Sequence, residues 1–143
     1  MISVQDLCIG NWVFDGERTQ FPMFIRAIGE DYVYLDFDGN EGDVWECKPD
    51  ELQGIPVTIE LLEKIGFKED TAIVKFYRYW DKDYKYKLDV DEGYTNSGKK
   101  WSVHIDNGDC ATIGSGEFDY VHELQNLVRI ITNKNITNIW HKK

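Results

Sequence analysis

In the first third of the chain, apolar residues alternate with polar ones, and Gly, Asp and Asn interrupt the pattern every few residues. Such alternation is typical of short β-strands, because successive side chains of a strand point to opposite faces. We therefore expect a small antiparallel sheet that closes into a barrel with an apolar inner face. The residues expected on this inner face are Met23, Ile25, Ala27, Val33, Leu35 and Phe37.

Segments 24–28 and 32–37 flank the connection Gly29-Glu30-Asp31, which predicts a β-hairpin. Antiparallel pairing about this turn places Arg26 opposite Tyr34. The outer face of the hairpin then mixes aromatic with charged side chains. This mixed face consists of Phe24, Arg26, Ile28, Tyr32, Tyr34 and Asp36, and Trp45 on the next predicted strand, 44–48, extends it.

The second half of the chain begins with a short helix over 59–65, for which Thr58 is a suitable N-cap and Gly66 a suitable end. Strands are predicted over 73–80, 84–90, 100–105 and 110–113. The dipeptide Asn107-Gly108 favours a two-residue turn that places Cys110 opposite Ile105.

A second helix is predicted from its Asp119 cap to about Thr132. Its apolar stripe consists of Val121, Leu124, Val128 and Ile131, widened by Tyr120 and Leu127. The tail after it carries Ile136, Ile139 and Trp140, which are typical of a docked segment or of a contact with another chain.

Together these elements predict an α+β fold of 143 residues, the size of one ordinary domain. An SH3-like antiparallel β-barrel occupies 1–56. A short connecting helix and an antiparallel sheet packed by a C-terminal helix occupy 57–143, either as a separate half or as part of one compact unit.

The net charge of −10 is concentrated in the first half. Residues 1–72 contain 16 acidic and 5 basic side chains, whereas residues 73–143 contain 10 and 11. An acidic chain repels the phosphate backbone, so we expect no nucleic-acid partner. The acidic half is a solvated face, a surface for a basic partner, or a mimic of a polyanion such as DNA.

The three cysteines, Cys8, Cys47 and Cys110, lie far apart and form no CxxC motif, which indicates neither a disulfide framework nor a zinc site. The first residues lack the basic and apolar stretches of a secretory signal, and no apolar run is long enough to span a membrane. We therefore expect a cytoplasmic protein without a membrane partner.

The spacing of Asp36, Asp38 and Asn40 is similar to the start of a calcium-binding loop. Glu41 and Cys47, however, stand where that loop needs glycine and a bidentate glutamate, so a polar turn is the better interpretation. Segment 114–116, Gly-Ser-Gly, is interpreted as a flexible loop rather than a phosphate cradle, because acidic residues follow it. We predict no metal or cofactor.

His122 and Glu123 are the strongest candidates for acid–base chemistry, although a solvated or capping role is the simpler interpretation. A small enzyme with a carboxylate and His122 between the two halves is therefore an alternative. The leading prediction is a non-catalytic module that binds a protein through the mixed face, since aromatic residues and arginine are enriched in binding surfaces. The competing interpretation is that the second half covers this face.

Three segments, LCIGNWV (7–13), GIPVTIELLEKIGF (54–67) and YVHELQNL (120–127), resemble a family of small uncharacterised phage and prophage proteins of gut bacteria. The first segment is also similar to the opening strand of SH3-like or KOW-type barrels, with Asn11 where aspartate is usual. The resemblance implies a phage-associated cytoplasmic protein with an N-terminal barrel. It implies no catalytic residue.

Overall fold

A computed structural model of the chain describes residues 2–16, 21–70, 76–80, 86–93, 95–107 and 111–133. These residues form two five-stranded antiparallel sheets and two α-helices, which confirms the α+β class. The first sheet contains β1 (Trp12–Phe14), β2 (Pro22–Ile28), β3 (Val33–Asp36), β4 (Trp45–Cys47) and β5 (Gln53–Gly54) in the order β4-β3-β2-β1-β5. Two 3₁₀ turns, Val4–Asp6 and Pro49–Glu51, precede β1 and β5.

The first sheet is open, so the predicted closed barrel was wrong. Strands β4 and β5 lie at its two edges and are not neighbours in it. They contain three and two residues, too few for the staggered pairing that closes a barrel. The apolar inner face is nevertheless confirmed for Met23, Ile25, Val33 and Leu35, which are buried in one core cluster.

A β-bulge shifts the pairing between β2 and β3. Ile25 pairs with Leu35 as predicted, but Ala27, not Arg26, lies opposite Tyr34. Arg26 is therefore the extra residue of the bulge. Because cross-strand partners share a face, Ala27 lies on the face of Tyr34, and its predicted place on the inner face was wrong. Residue alternation alone does not reveal such an insertion.

The second sheet contains β6 (Lys68–Asp70), β7 (Phe76–Trp80), β8 (Tyr86–Glu92), β9 (Trp101–Asn107) and β10 (Thr112–Phe118) in the order β10-β9-β8-β7-β6. Helix α1 (Ile59–Ile65) connects the two sheets, and α2 (Val121–Thr132) follows β10. The predicted ends of α1 are confirmed: the Thr58 side chain accepts a hydrogen bond from the Leu61 N–H, and Gly66 is the C-cap.

The predicted register between the last two strands was wrong, because Ile105 pairs with Gly114. Cys110 and the centre of the predicted turn lie outside the described residues, as does the tail with Ile136, Ile139 and Trp140. Segment 114–116 is part of β10 rather than a flexible loop. A Cβ on Gly114 would lie 2.4 Å from Ile131, and one on Gly116 would lie 2.5 Å from Leu127. These glycines allow α2 to pack closely on the sheet.

The N-cap of α2 is Tyr120 rather than the predicted Asp119. Glu123 accepts hydrogen bonds from the N–H groups of both residues, at 3.1 Å and 3.2 Å, and so satisfies the start of the helix. The Asp119 carboxylate instead accepts the N–H of Lys100 at 2.7 Å. The predicted apolar stripe is confirmed, since Val121, Leu124 and Val128 are buried in the core cluster below α2.

That core cluster contains residues from both sides of the predicted division at residue 56. Trp12 and Ile55 from the first half pack in it with Trp101 and Leu124 from the second. The division into 1–56 and 57–143 stays a prediction, but the two parts share a hydrophobic core. Within the described ranges, neither helix is long and apolar enough to cross a membrane.

Candidate functional site

The mixed face predicted from the sequence is divided by the packing of the two halves. The ring of Phe24 contacts Trp12 edge to face, with centroids 5.4 Å apart, and Phe24 packs against the core below α2. Because that core contains residues of both halves, the Phe24 end of the mixed face packs against the interface between them. This end of the face therefore agrees with the competing interpretation, in which the packing of the two halves covers it.

Trp45 lies on the opposite face from the rest of the predicted set. It pairs with Leu35 on β3 and packs against the core of the first sheet. Because cross-strand partners point to the same side, Trp45 belongs to the inner face. The predicted extension of the mixed face to Trp45 was wrong, since the register between β3 and β4 was not evident from the sequence.

Arg26, Tyr32 and Tyr34 remain at the surface on the outer side of the hairpin. Ile28 is 37% exposed, but the bulge pairs it with Val33, so its predicted place on the mixed face was wrong. The Arg26 side chain is 62% exposed and forms an ion pair with Asp36 at 3.5 Å. Tyr32 is 40% exposed at the end of the hairpin, and Tyr34 is half-buried. We call Arg26, Tyr32 and Tyr34 the hairpin face.

The Asp36 side chain stabilises the turn after β3 through hydrogen bonds. Its Oδ1 atom accepts the Phe37 N–H at 2.8 Å and the Asn40 side-chain N–H at 2.9 Å. This polar turn is the interpretation favoured by the sequence over a calcium loop. Among the described residues, no group of three or more His, Cys, Asp or Glu side chains is arranged to hold a metal ion.

Exposed carboxylates surround the hairpin face. Glu46 lies opposite Tyr34 on β4, and further acidic side chains occupy the turns at both ends of β3. Those exposed in the two turns are Glu30, Asp31, Glu41 and Asp43. The surface that includes the hairpin face is therefore strongly acidic.

The hairpin face continues into the N-terminal segment. The N–H of Gly10 donates to the carbonyl of Ile25 at 2.8 Å, which places Gly10 beside the bulge on β2. The preceding residue, Ile9, is 60% exposed, and its carbonyl accepts a hydrogen bond from Arg129 of α2 at 3.2 Å. Arg26 and the start of the chain thus belong to adjoining parts of the surface.

A cleft of about 350 Å³ lies between this N-terminal segment, the loop before β9 and α2. Its lining combines charged, polar and apolar side chains. They are Gln5, Asp6, Cys8, Lys99, Glu117, His122, Glu123, Asn126, Leu127 and Ile130.

His122 lines this cleft and is only 3% exposed, so the expected solvated role was wrong. Its ring stacks on Tyr120, with centroids 5.8 Å apart and planes 12° from parallel. The buried Nδ1 atom has no hydrogen-bond partner among the described residues. Burial lowers the pKa of His122, because the charged imidazolium loses its hydration, although Glu123 and Asp6 oppose the shift. The imidazole is therefore neutral at neutral pH.

Three ionic side chains that line the cleft, those of Lys99, Glu117 and Glu123, already have partners. Lys99 forms an ion pair with Glu123, and this pairing together with the Asp119 N–H lowers the pKa of Glu123 against the opposing effect of burial. The Glu117 carboxylate accepts the N–H groups of Asn96 and Ser97 and the Ser97 hydroxyl at 2.8 Å. These contacts lower the pKa of Glu117.

Sequence analysis identified His122 and Glu123 but not Gln5, Asp6, Lys99 or Asn126. Asn126 connects the parts of the site, since it donates to the Asp6 carbonyl and accepts from the Asn11 amide, both at 2.8 Å. In each of these two contacts the partners lie more than 110 positions apart along the chain, so no local motif could have indicated them. The chain matches no protein-family model, no curated protein and no solved structure.

Proposed function

We propose that this chain is a non-catalytic module that binds a protein partner through the hairpin face. One observation supports the proposal: Arg26, Tyr32 and Tyr34 of the β2–β3 hairpin remain accessible although the Phe24 end of the same face packs against the core that both halves share. The two tyrosines supply a large contact area at a low entropic cost, because their side chains have few rotatable bonds.

The chemistry of the hairpin face supports a protein rather than a small molecule as the ligand. Tyrosine and arginine are the residues most enriched where proteins bind one another. The bulge places Arg26 beside the regular ladder, and bulges are frequent where a strand directs a side chain towards a partner.

The charge around the hairpin face supports a basic partner. The exposed carboxylates Glu30, Asp31, Glu41, Asp43 and Glu46 surround it, and residues 1–72 carry a net charge of −11. Complementary charge accelerates association and selects against acidic surfaces. We therefore expect a partner that presents lysine and arginine side chains.

A phage-associated, cytoplasmic setting belongs to the same proposal. It is supported by the resemblance of segments 7–13, 54–67 and 120–127 to phage and prophage proteins. The widely spaced cysteines also suit a reducing compartment. A basic protein of the phage or of its bacterial host is the partner expected in that setting.

The test is affinity capture from phage-infected host cells with the wild-type chain and with Arg26→Glu/Tyr32→Ala. The expected result is one basic protein retained at a near-stoichiometric level by the wild type and lost with the double variant. Binding is then measured with the purified partner, and the double variant is expected to bind at least about tenfold more weakly.

The matched control is Ile59→Ala/Lys64→Glu on α1, which repeats the same charge reversal and removes a side chain of similar exposure, 39% against 40% for Tyr32. This control is expected to retain the partner. A partner that binds both double variants equally well would contradict the proposal. So would a partner with an acidic binding surface.

A further inference from the structure

The cleft is lined by polar groups that no described residue bonds. The side chains of Gln5 and Asp6 are exposed and make no hydrogen bond or ion pair with any described residue, although the charge of Asp6 acts on Lys99 and His122. The Nδ1 atom of the 97%-buried His122 has no partner among the described residues either. By contrast, Glu117 and Glu123 are already bonded, as described above. A convergence of free polar groups on one concave site is typical of a binding site.

All three groups can accept hydrogen bonds from a ligand. The Asp6 carboxylate is an acceptor only, the Gln5 amide has an acceptor oxygen, and neutral His122 has one acceptor nitrogen. The lowered pKa of His122 keeps it in this neutral form. The complementary ligand is therefore rich in hydrogen-bond donors.

The charge of the residues that line the cleft determines whether a cation or an anion can bind there. Three carboxylates, those of Asp6, Glu117 and Glu123, face one ammonium group, that of Lys99. Although the N-terminus of α2 would favour an anion, the Glu123 carboxylate already occupies its first turn. The excess of negative charge repels phosphate and carboxylate groups and attracts a cation.

The cleft also has an apolar end. Leu127 and Ile130 line it, and Ile130 is 82% exposed. A volume of about 350 Å³ suits one long side chain rather than a large cofactor. Arginine combines an aliphatic stem with a planar cation that has five N–H donors, so it can satisfy several separated acceptors at once.

We propose that this cleft binds the guanidinium group of an arginine side chain, which the protein partner inserts beside the hairpin face. Only the source of the arginine rests on the proposed function. The guanidinium lies between Asp6, Gln5 and His122, and the aliphatic stem lies against Leu127 and Ile130. Cys8 lines the cleft, and two residues later the Gly10 N–H donates to the carbonyl of Ile25, the neighbour of Arg26, so one partner can contact both sites.

The test is an NMR titration of the full chain with the peptide acetyl-Gly-Arg-Gly-amide, followed through the backbone and imidazole signals. We expect saturable shifts at Gln5, His122 and Asn126. The same peptide with norleucine, which keeps the stem but lacks the charge, is expected to cause none. The lysine peptide is expected to bind about three- to fivefold more weakly than the arginine peptide, because it keeps the charge but loses about one hydrogen bond of the planar guanidinium.

Two variants test the site. Asp6→Asn is expected to lower the affinity for the arginine peptide about three- to fivefold. Asp43→Asn alters an exposed carboxylate away from the cleft and is expected to leave this affinity unchanged. Equal shifts from the norleucine peptide, or unchanged binding by Asp6→Asn, would overturn the proposal. Equal binding of the lysine peptide would overturn the assignment to guanidinium.

The variant Arg26→Glu/Tyr32→Ala separates this inference from the proposed function. It is expected to bind the arginine peptide like the wild type, because the hairpin face does not line the cleft. If this variant no longer captures the partner but still binds the arginine peptide, the result supports both proposals. Peptide binding without any partner supports the cleft alone, and partner capture without peptide binding contradicts the cleft alone.

Discussion

The buried side chain of Gln125 on α2 accepts a hydrogen bond from the backbone N–H of Trp12 on β1 at 2.9 Å. Its amide also donates to the Gly10 carbonyl at 3.2 Å. One side chain of the second half thus satisfies the backbone of two residues in the first. Because Trp12 is buried, water cannot replace the bond to its N–H, and Gln125 therefore couples the two halves.

Gln125→Leu is therefore expected to lower the free energy of unfolding by about 1–3 kcal/mol, because a leucine side chain cannot satisfy the Trp12 N–H. Denaturation by urea measures the change. The control Gln53→Leu alters an exposed glutamine on β5 and is expected to change stability by less than about 0.5 kcal/mol. Equal stability of both variants would show that this contact does not connect the halves.

Gly54→Ala is expected to destabilise the chain by about 1–3 kcal/mol, because the added Cβ would lie 2.4 Å from the Tyr120 ring. Tyr120 has little freedom to move, since it forms a β-bridge with Pro56. Thermal unfolding measures the loss, and Gly42→Ala in the exposed turn after β3 is the control. Combining Gly54→Ala with Tyr120→Ala should recover part of the stability, and a strictly additive double variant would contradict this contact.

Leu124→Ala is expected to cost about 2–5 kcal/mol, because Leu124 is fully buried between α2 and the second sheet. The control on the same helix is Ile130→Ala, which removes a side chain that is 82% exposed. The two midpoints of urea denaturation should differ clearly. An unchanged midpoint for Leu124→Ala would contradict the packing of α2 on the sheet.

The stability of the chain is expected to decrease as the pH falls below about 6.5, because His122 is neutral in the folded state and its pKa is lowered by burial. In the unfolded chain His122 has its ordinary pKa and binds a proton first, so acidification favours unfolding. Glu117 and Glu123 have lowered pKa values, and their contributions are lost only at more acidic pH, below their ordinary pKa of 4.5.

Urea denaturation at about pH 7.5 and about pH 5.5 isolates the histidine contribution. His122→Gln should lose less stability between these two values than the wild type. The control Gln53→Leu, which alters an exposed side chain that does not titrate, should lose as much as the wild type. If His122→Gln loses as much unfolding free energy between the two pH values as the wild type, another group causes the pH dependence.

Alternation along each strand indicated which side chains of the mixed face stay at the surface, while their role in binding stays a prediction. Arg26, Tyr32 and Tyr34 lie on the outer side of the first sheet as the pattern indicated. Phe24 has the same pattern but packs against Trp12 and the core that both halves share, and Trp45 lies on the inner face. Both outcomes depend on a neighbour distant in sequence, which alternation does not encode.

The sequence by itself determined the α+β class, both ends of α1, the apolar stripe of α2 and the buried set on the first sheet. These features follow from local periodicity and from capping groups within a few residues of one another. Only the tertiary structure decided the bulge at Arg26, the open edges of the first sheet, the strand at 114–116 and the cleft around His122. Each of these depends on which distant segments pack together, and that is set by the burial of the whole core rather than by any single stretch of chain.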